Sequence, residues 1–399
     1  MKNIAFEISD AHEHHAHIAP LIDAFLNSSS FNVTLYSSDE KHIDVFYELY
    51  SKIYCKANKA KIHIIKPEIS HKLKHVLVSF FKSFNSGWLV KVCRHFYGYI
   101  RGVSSIVESG NRHYLSNIDF FTKQEVVFTT ELKGGKVLKE TGTKLVFCLH
   151  GIISNGNPFF KDWSCDLVVS PSLSLASRLR KESNFPMTSQ IYKHAYLKKD
   201  VINRFALNTQ NEKLFNKQQF TFLYNPHWDN SLGQSSWSKF GEKILNFFFN
   251  NPQYNLIFAP HILLDKYFGL TIENKYCQSS NILIDINSDK LCNGFYIPHT
   301  DCYMGDVSSQ YFEFLLCNKN IQGIFINATL MDWECLNHYE YWKNGDVAES
   351  FDELKKLIME YAKQNKAYSK TELYDKIFSD IPDNQVDKLK EFIVKNYLQ

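Results

Sequence analysis

The sequence predicts an α/β protein built of two doubly wound domains facing across a cleft. Three observations predict it. The chain has 399 residues, too many for one compact core and suited to two domains of roughly 150–200 residues. Short apolar runs alternate with helix-length stretches from end to end. A polar, weakly periodic stretch at 207–219, rich in Asn, Gln and Lys, divides that alternation in two.

In the first half, strands are expected at 4–8, 32–36, 61–65, 125–129, 144–149 and 166–170. Each is short, β-branched or aromatic, and mostly apolar throughout rather than alternating, as in strands buried on both faces of a parallel sheet. Helices are expected at 16–27 and 172–182. After the linker come strand 220–224, helix 237–250, strands 255–258, 282–284 and 301–304, helix 309–317, strand 323–327 and helix 350–364. The organisation is therefore 1–206, an N-terminal Rossmann-like domain; 207–370, a C-terminal Rossmann-like domain; and 371–399, C-terminal helices that can pack back on the first domain. Such sheets bind ligands outside the carboxyl ends of their strands.

Composition narrows the class. With 44% hydrophobic and 22% charged residues, the chain is neither low-complexity nor collagenous. Lys+Arg 45 against Asp+Glu 42 leaves a net charge of +3, too balanced for a dedicated nucleic-acid binder, so no nucleic-acid partner is expected. The nine cysteines contain no C-x-x-C pair. That argues against a disulfide framework or structural zinc and for a reducing, cytoplasmic setting. The start, Met1 to Phe6, has no signal-peptide core, and no run approaches the roughly 18–20 apolar residues of a spanning helix. Segment 61–103 interleaves Lys72, Lys74, Lys82, Arg94 and Arg101 with Phe80, Phe81, Trp88 and Tyr97. It reads either as a membrane-surface contact, placing the protein peripherally at the inner membrane, or as helices with inward aromatics and a basic rim.

Chemistry concentrates in a few segments. In Gly305-Asp306-Val307-Ser308-Ser309-Gln310 a strand ends in a tight turn and two serines open a helix. Unpaired N–H groups and the helix dipole there favour phosphate, although the same residues also make an ordinary helix cap. Glu313, one turn on, is expected to face a ribose hydroxyl. His227 and His261 close successive strands, where imidazoles can neutralise the phosphate of a departing nucleotide. Asp229 is read as general base or nucleophile, or else as a turn residue. The loop Asp10-Ala11-His12-Glu13-His14-His15-Ala16-His17 matches no zinc spacing. His14 or His15 in it is a candidate for acceptor binding or general base. His150, followed by a glycine that permits close backbone approach, is another. No metal or other cofactor is expected.

Gly305-Asp306-Val307-Ser308-Ser309 with Phe312-Glu313-Phe314 resembles the Thr-Asp-Tyr-Ser-Ser…Phe-Asp signature of the CDP-glycerol glycerophosphotransferase family. His150-Gly151, Tyr224-Asn225-Pro226-His227 and Ala259-Pro260-His261 fall in the family's order, over roughly residues 144–327. The resemblance implies a GT-B fold and a part in teichoic-acid-like or capsule polymer synthesis. It also implies His150 as the better base. Departures are Ala259 for a basic residue, Val307 for Tyr, and Ile152 onward for a Lys-bearing turn. The same stations resemble GT-B transferases using CMP-activated acidic sugars, the bacterial sialyltransferases and β-Kdo transferases. The shared implication is a cytidine-nucleotide donor. The expected function is transfer of a Kdo- or sialic-acid-like sugar from CMP to a bacterial surface polysaccharide, lipopolysaccharide or lipid-linked glycan. The alternatives are glycerophosphate transfer from CDP-glycerol and a non-catalytic nucleotide- or glycan-binding module. The candidate catalytic residues are Asp229, His150 and His14. The candidate donor-binding residues are His227, His261, Asp306, Ser308, Ser309, Gln310 and Glu313.

Overall fold

The computed structural model describes residues 1–54, 60–65, 114–131, 134–151, 164–172, 175–177, 189–228, 235–287, 289–306, 308–317, 322–364, 372–378 and 380–399. The chain divides into two compact units. One comprises Met1–His150, Ser154–Leu197 and Ile381–Gln399, the other Gly151–Ile153 and Lys198–Asp380.

The first unit is built on a seven-stranded sheet of β1 Lys2–Glu7, β2 Phe31–Ser37, β3 Lys61–Ile64, β4 Val126–Thr129, β5 Lys144–Cys148, β6 Leu167–Val169 and β7 Gln190–Tyr192. Its order is β3-β2-β1-β4-β5-β6-β7, with every pairing parallel. Six of the apolar runs read from the sequence are strands of this sheet, and they are continuous because successive residues, Ile4, Ala5 and Phe6 on β1 and Val126, Val127 and Phe128 on β4, point to opposite faces and are all buried. Phe6 and Phe128 stack at 4.3 Å across β1 and β4. Burying each such ring contributes about 1.5–3 kcal/mol. β7 escaped the sequence reading because Gln190-Ile191-Tyr192 holds a single aliphatic residue and no continuous apolar run.

Helix α1, Ala19–Leu26, starts at a proline and buries one face. α2, Glu40–Tyr50, is capped by Asp39, whose carboxylate accepts the Lys41 N–H at 3.0 Å. The C-terminal helix Gln385–Tyr397 also belongs to this unit. Its Lys390 Nζ donates to Ala24 O at 2.7 Å, tying it to α1.

The second unit holds a six-stranded parallel sheet of β8 Thr221–Asn225, β9 Asn255–Phe258, β10 Ile282–Ile284, β11 Cys302–Gly305, β12 Gln322–Ile326 and β13 Asp346–Ala348. The order is β10-β9-β8-β11-β12-β13. Helix α3, Lys198–Thr209, runs into the stretch expected to be a linker, so 207–209 are helical and the irregular connection is shorter. The expected helix 237–250 is a π-helical turn, Trp237–Gly241, followed by α4, Glu242–Asn250. α4 buries Ile244, Leu245 and Phe248 against Phe222 and Leu256. α5, Gln310–Cys317, follows β11. Ser350 and Glu353 cap the helix Phe351–Gln364 reciprocally, in a Ser-x-x-Glu capping box.

Both strand orders reverse once: between β1 and β4 in the first unit, and between β8 and β11 in the second. At such a reversal the flanking connections leave to opposite sides and open a crevice beyond the strand carboxyl ends. Among the described candidate residues, His14 follows β1, His227 follows β8, and Asp306, Ser308 and Ser309 follow β11, the strands that flank these two reversals. Among the described residues no helix is long and apolar enough to cross a membrane.

Candidate active site

In the first unit, three chain-distant residues meet beyond the ends of β1, β4 and β5. His14 comes from the short 3-10 helix His12–His17, Glu131 from just past β4, and His150 from just past β5. His14 Nδ1 lies 2.9 Å from Glu131 Oε1, and the His14 and His150 rings stack at 3.8 Å, 22° from parallel. His150 Nδ1 is 2.8 Å from the Thr130 carbonyl. Carboxylate and carbonyl oxygens only accept, so both imidazoles carry a proton on Nδ1 and present Nε2 as an acceptor. This is an arrangement for taking a proton from a hydroxyl, with Glu131 placed to stabilise the imidazolium formed on His14.

The other histidines of the loop do different work. His15 is buried, its Nε2 2.9 Å from Ser9 O, and burial drives its pKa down to about 3, so it stays neutral. His12 Nε2 lies 3.3 Å from His42 Nδ1. Among the described residues no group of three or more His, Cys, Asp or Glu side chains is gathered to hold a metal ion.

In the second unit, the ends of β8, β9 and β11 are stitched by Asn225. Its amide donates to Ala259 O at 2.8 Å and accepts from Tyr303 OH at 3.1 Å. Gly305 is required there, because a Cβ would lie 2.8 Å from both Asn225 O and the Tyr303 hydroxyl. His227, Trp228 and His261 form a ring cluster, with His227 and His261 centroids 5.5 Å apart. His261 Nδ1 accepts the Leu263 N–H at 3.2 Å. In the neutral ring that puts the proton on Nε2 and makes this imidazole a donor, opposite in sense to His14 and His150.

Asp306 is fully buried, and one carboxylate oxygen, Oδ2, accepts the N–H groups of His227 and Ser236, both at 2.8 Å. Burial raises its pKa to about 7 against the restraining effect of those two hydrogen bonds. Its other oxygen, Oδ1, is buried without a hydrogen-bond partner. The carboxylate thus clamps the β8 exit to the β11 exit. Tyr341 completes the clamp, its hydroxyl donating to Asp306 O and accepting from Ser308 N, each at 2.9 Å.

The start of α5 is internally capped. Ser308 Oγ accepts the Gln310 N–H at 3.1 Å, and Ser309 O accepts the Phe312 N–H. Ser309 and Gln310 remain partly exposed. Glu313, expected to face a ribose, is buried instead. Lys198 Nζ lies 2.6 Å from its Oε1 and Gln310 Nε2 lies 2.7 Å from its Oε2, so both oxygens serve a buried ion pair. Asp229 lies outside the described residues, as does most of the basic segment 61–103, of which only 61–65 is described.

Sequence reasoning singled out His14 and His150 separately but missed Glu131, which only its place one residue past a strand-end threonine pair could have flagged. It also missed Lys198, Ser236 and Tyr341, which sit in no motif.

No protein-family model and no curated protein matches the chain in sequence. In three dimensions it is similar to the wall teichoic acid polymerase TagF, with a TM-score of 0.60, 11% identity, and 100% of this chain and 89% of that one covered. A form of that polymerase soaked with CDPG is also similar. MnaA of S. aureus, in a co-structure with UDP, gives a TM-score of 0.56 at 10% identity, covering 100% and 97%. The UDP-GlcNAc 2-epimerase from Neisseria meningitidis, bound to UDP-GlcNAc, gives 0.53 at 11%, covering 99% and 100%. At these identities the likeness establishes the fold: two Rossmann-like parallel sheets of GT-B type.

Proposed function

We propose that the chain is a sugar-nucleotide-processing transferase. In this reading it takes a cytidine-activated donor in its second unit and deprotonates an acceptor hydroxyl with the His14–Glu131 pair of its first. The observation that carries the reading is the contrast in imidazole polarity. At the first unit's reversal two histidines present acceptor nitrogens backed by a carboxylate, which suits a base. At the second unit's reversal His261 presents a donor beside His227 and Trp228, which suits phosphate oxygens and a stacked base.

The donor group in this reading is an acidic sugar carried on CMP. The acceptor hydroxyl loses its proton to His14 Nε2 and its oxygen bonds to the anomeric carbon. The bond to CMP breaks, and the electron pair leaves on the phosphate that His227 and His261 address. Ala259, where the resembling family has a basic residue, leaves fewer cations for a donor diphosphate. A second reading, glycerophosphate transfer from CDP-glycerol, is favoured by the likeness to TagF and its CDPG-soaked form. Both readings release CMP, so intact donors distinguish them. The acceptor is a surface polysaccharide or lipid-linked glycan, with segment 61–103 as the contact to the membrane surface.

The test is to incubate the full chain with CMP-sialic acid, CMP-Kdo, CDP-glycerol and UDP-GlcNAc, with and without oligosaccharide acceptors, and to follow nucleotide release. Release of CMP from a CMP-sugar supports the first reading and release from CDP-glycerol the second. Turnover of UDP-GlcNAc alone refutes the cytidine assignment.

A further inference from the structure

Behind Glu131 the structure carries a buried chain of polar groups that the proposed reaction does not itself use. Glu7 lies at the end of β1, in a sheet otherwise filled with Ile4, Phe6, Val127 and Phe128, and is nearly inaccessible. A carboxylate there is costly unless donors surround it. Two do. The Thr129 hydroxyl of β4 donates to Glu7 Oε2, and the Tyr114 hydroxyl also reaches Glu7 while pairing with Tyr36 at 2.8 Å.

The Thr129 hydroxyl has a single proton. Because Glu7 takes it, the oxygen is left to accept, and it accepts the backbone N–H of Glu131 at 2.8 Å. That bond fixes the turn in which Glu131 swings its side chain onto His14 Nδ1. Without Glu7 the hydroxyl can turn its proton to the Glu131 carbonyl, 3.1 Å away, and the turn loses its single arrangement.

We propose that Glu7, acting through the Thr129 hydroxyl, is a positioning residue that holds the Glu131 carboxylate on His14. The proposal rests on the reading of His14 as the base, but its geometry can be tested without turnover. The other ionisable groups packed around this chain are Tyr36 and Tyr114 beside Glu7, and His150, His12, His15 and His42 on the loop side. Glu131 joins the chain to His14.

The experiment compares Glu7→Met, which removes the acceptor, with Thr129→Val and Thr129→Ser in the full chain. Imidazole nitrogen NMR reads the His14 tautomer. Wild type and Thr129→Ser are expected to show a single His14 form with the proton on Nδ1, whereas Glu7→Met and Thr129→Val show both tautomers exchanging. If turnover is found, the latter two lose kcat by about tenfold or more with KM within about twofold. Thr129→Ser keeps wild-type kcat, and CMP-induced stabilisation is unchanged in all three. A buried Glu7 that merely braces β1 against β4 would lower melting temperature and leave the His14 signal alone; that result overturns the proposal. Should Glu7→Met fail to fold, the Val and Ser pair at 129 decides. An Nδ1-H signal in Thr129→Val identical to wild type is then the refuting outcome. Absence of turnover in wild type with the tautomer change present removes the transferase reading and leaves the positioning chain standing.

Discussion

Replacing Lys198 by Met should be among the most damaging single changes in the second unit. The Lys198 and Glu313 side chains are 5% and 3% exposed, and their charged atoms approach to 2.6 Å. Removing the ammonium leaves the buried Glu313 carboxylate still accepting from Gln310 Nε2 but without the positive charge that offsets its own. Breaking one half of a buried pair costs about 3–5 kcal/mol, against about 0–1 kcal/mol for an exposed pair. For a unit of this size about 2–4 °C of melting temperature is lost per kcal/mol. The expected drop is therefore about 6–20 °C by calorimetry. The double variant Lys198→Met, Glu313→Leu removes both charges at similar volume and should recover most of the loss, because the penalty lies in the orphaned charge. A single-variant loss below about 1 kcal/mol, or a double variant no better than the single, would refute this account of the pair.

Three further outcomes follow from the geometry. Asp306 has a folded pKa of about 7 against an ordinary 3.8, so the folded state holds its proton where the unfolded chain has lost it. Stability should therefore fall as pH rises from about 4 to about 7, by up to about 1.4 kcal/mol per pH unit, and level off above. Asp306→Asn keeps an acceptor for the His227 and Ser236 N–H groups and should flatten this part of the profile in urea titrations; an unchanged slope would assign it to other groups. His14→Ala should lower turnover by about 10²–10⁴-fold and leave CMP affinity alone, while undiminished turnover would remove His14 as the base. Gly134 sits at φ 72°, and a Cβ there would lie 2.4 Å from the Tyr114 ring. Gly134→Ala should therefore cost about 1–3 kcal/mol, read as a lowered urea midpoint; an unshifted midpoint would show that Tyr114 yields easily.

Most of the sheet framework was legible because parallel strands buried on both faces leave continuous apolar runs. The strands at 255–258 and 282–284 fall where the sequence put them, and the other expected strands shift by one or two residues at an end. β7 and β13 were illegible because Gln190-Ile191-Tyr192 and Asp346-Val347-Ala348 carry no continuous apolar run, whereas β10, an equally short edge strand, is Ile282-Leu283-Ile284. The site was legible where one residue type stands out at a strand end, as with His14, His150, His227 and His261. It was illegible where a role depends on which distant side chain arrives. Glu313 has the spacing to face outward from α5, but Lys198 from another helix takes it inward. Ser308 has the chemistry of a phosphate donor, yet its N–H and Oγ serve Tyr341 and Gln310. Pairings over 115 and 33 residues leave no local pattern.

The most direct test of the cytidine assignment is a thermal-shift panel of CMP, CDP, UMP, UDP, GDP and ADP on the full chain, repeated on His261→Ala. A nucleotide at about 100 times its dissociation constant stabilises by about 2.7 kcal/mol, equivalent to roughly 5–11 °C here. The account predicts the largest shift with a cytidine nucleotide and a much smaller one in His261→Ala. A flat response, or a larger shift with UDP than with CMP or CDP, would contradict it.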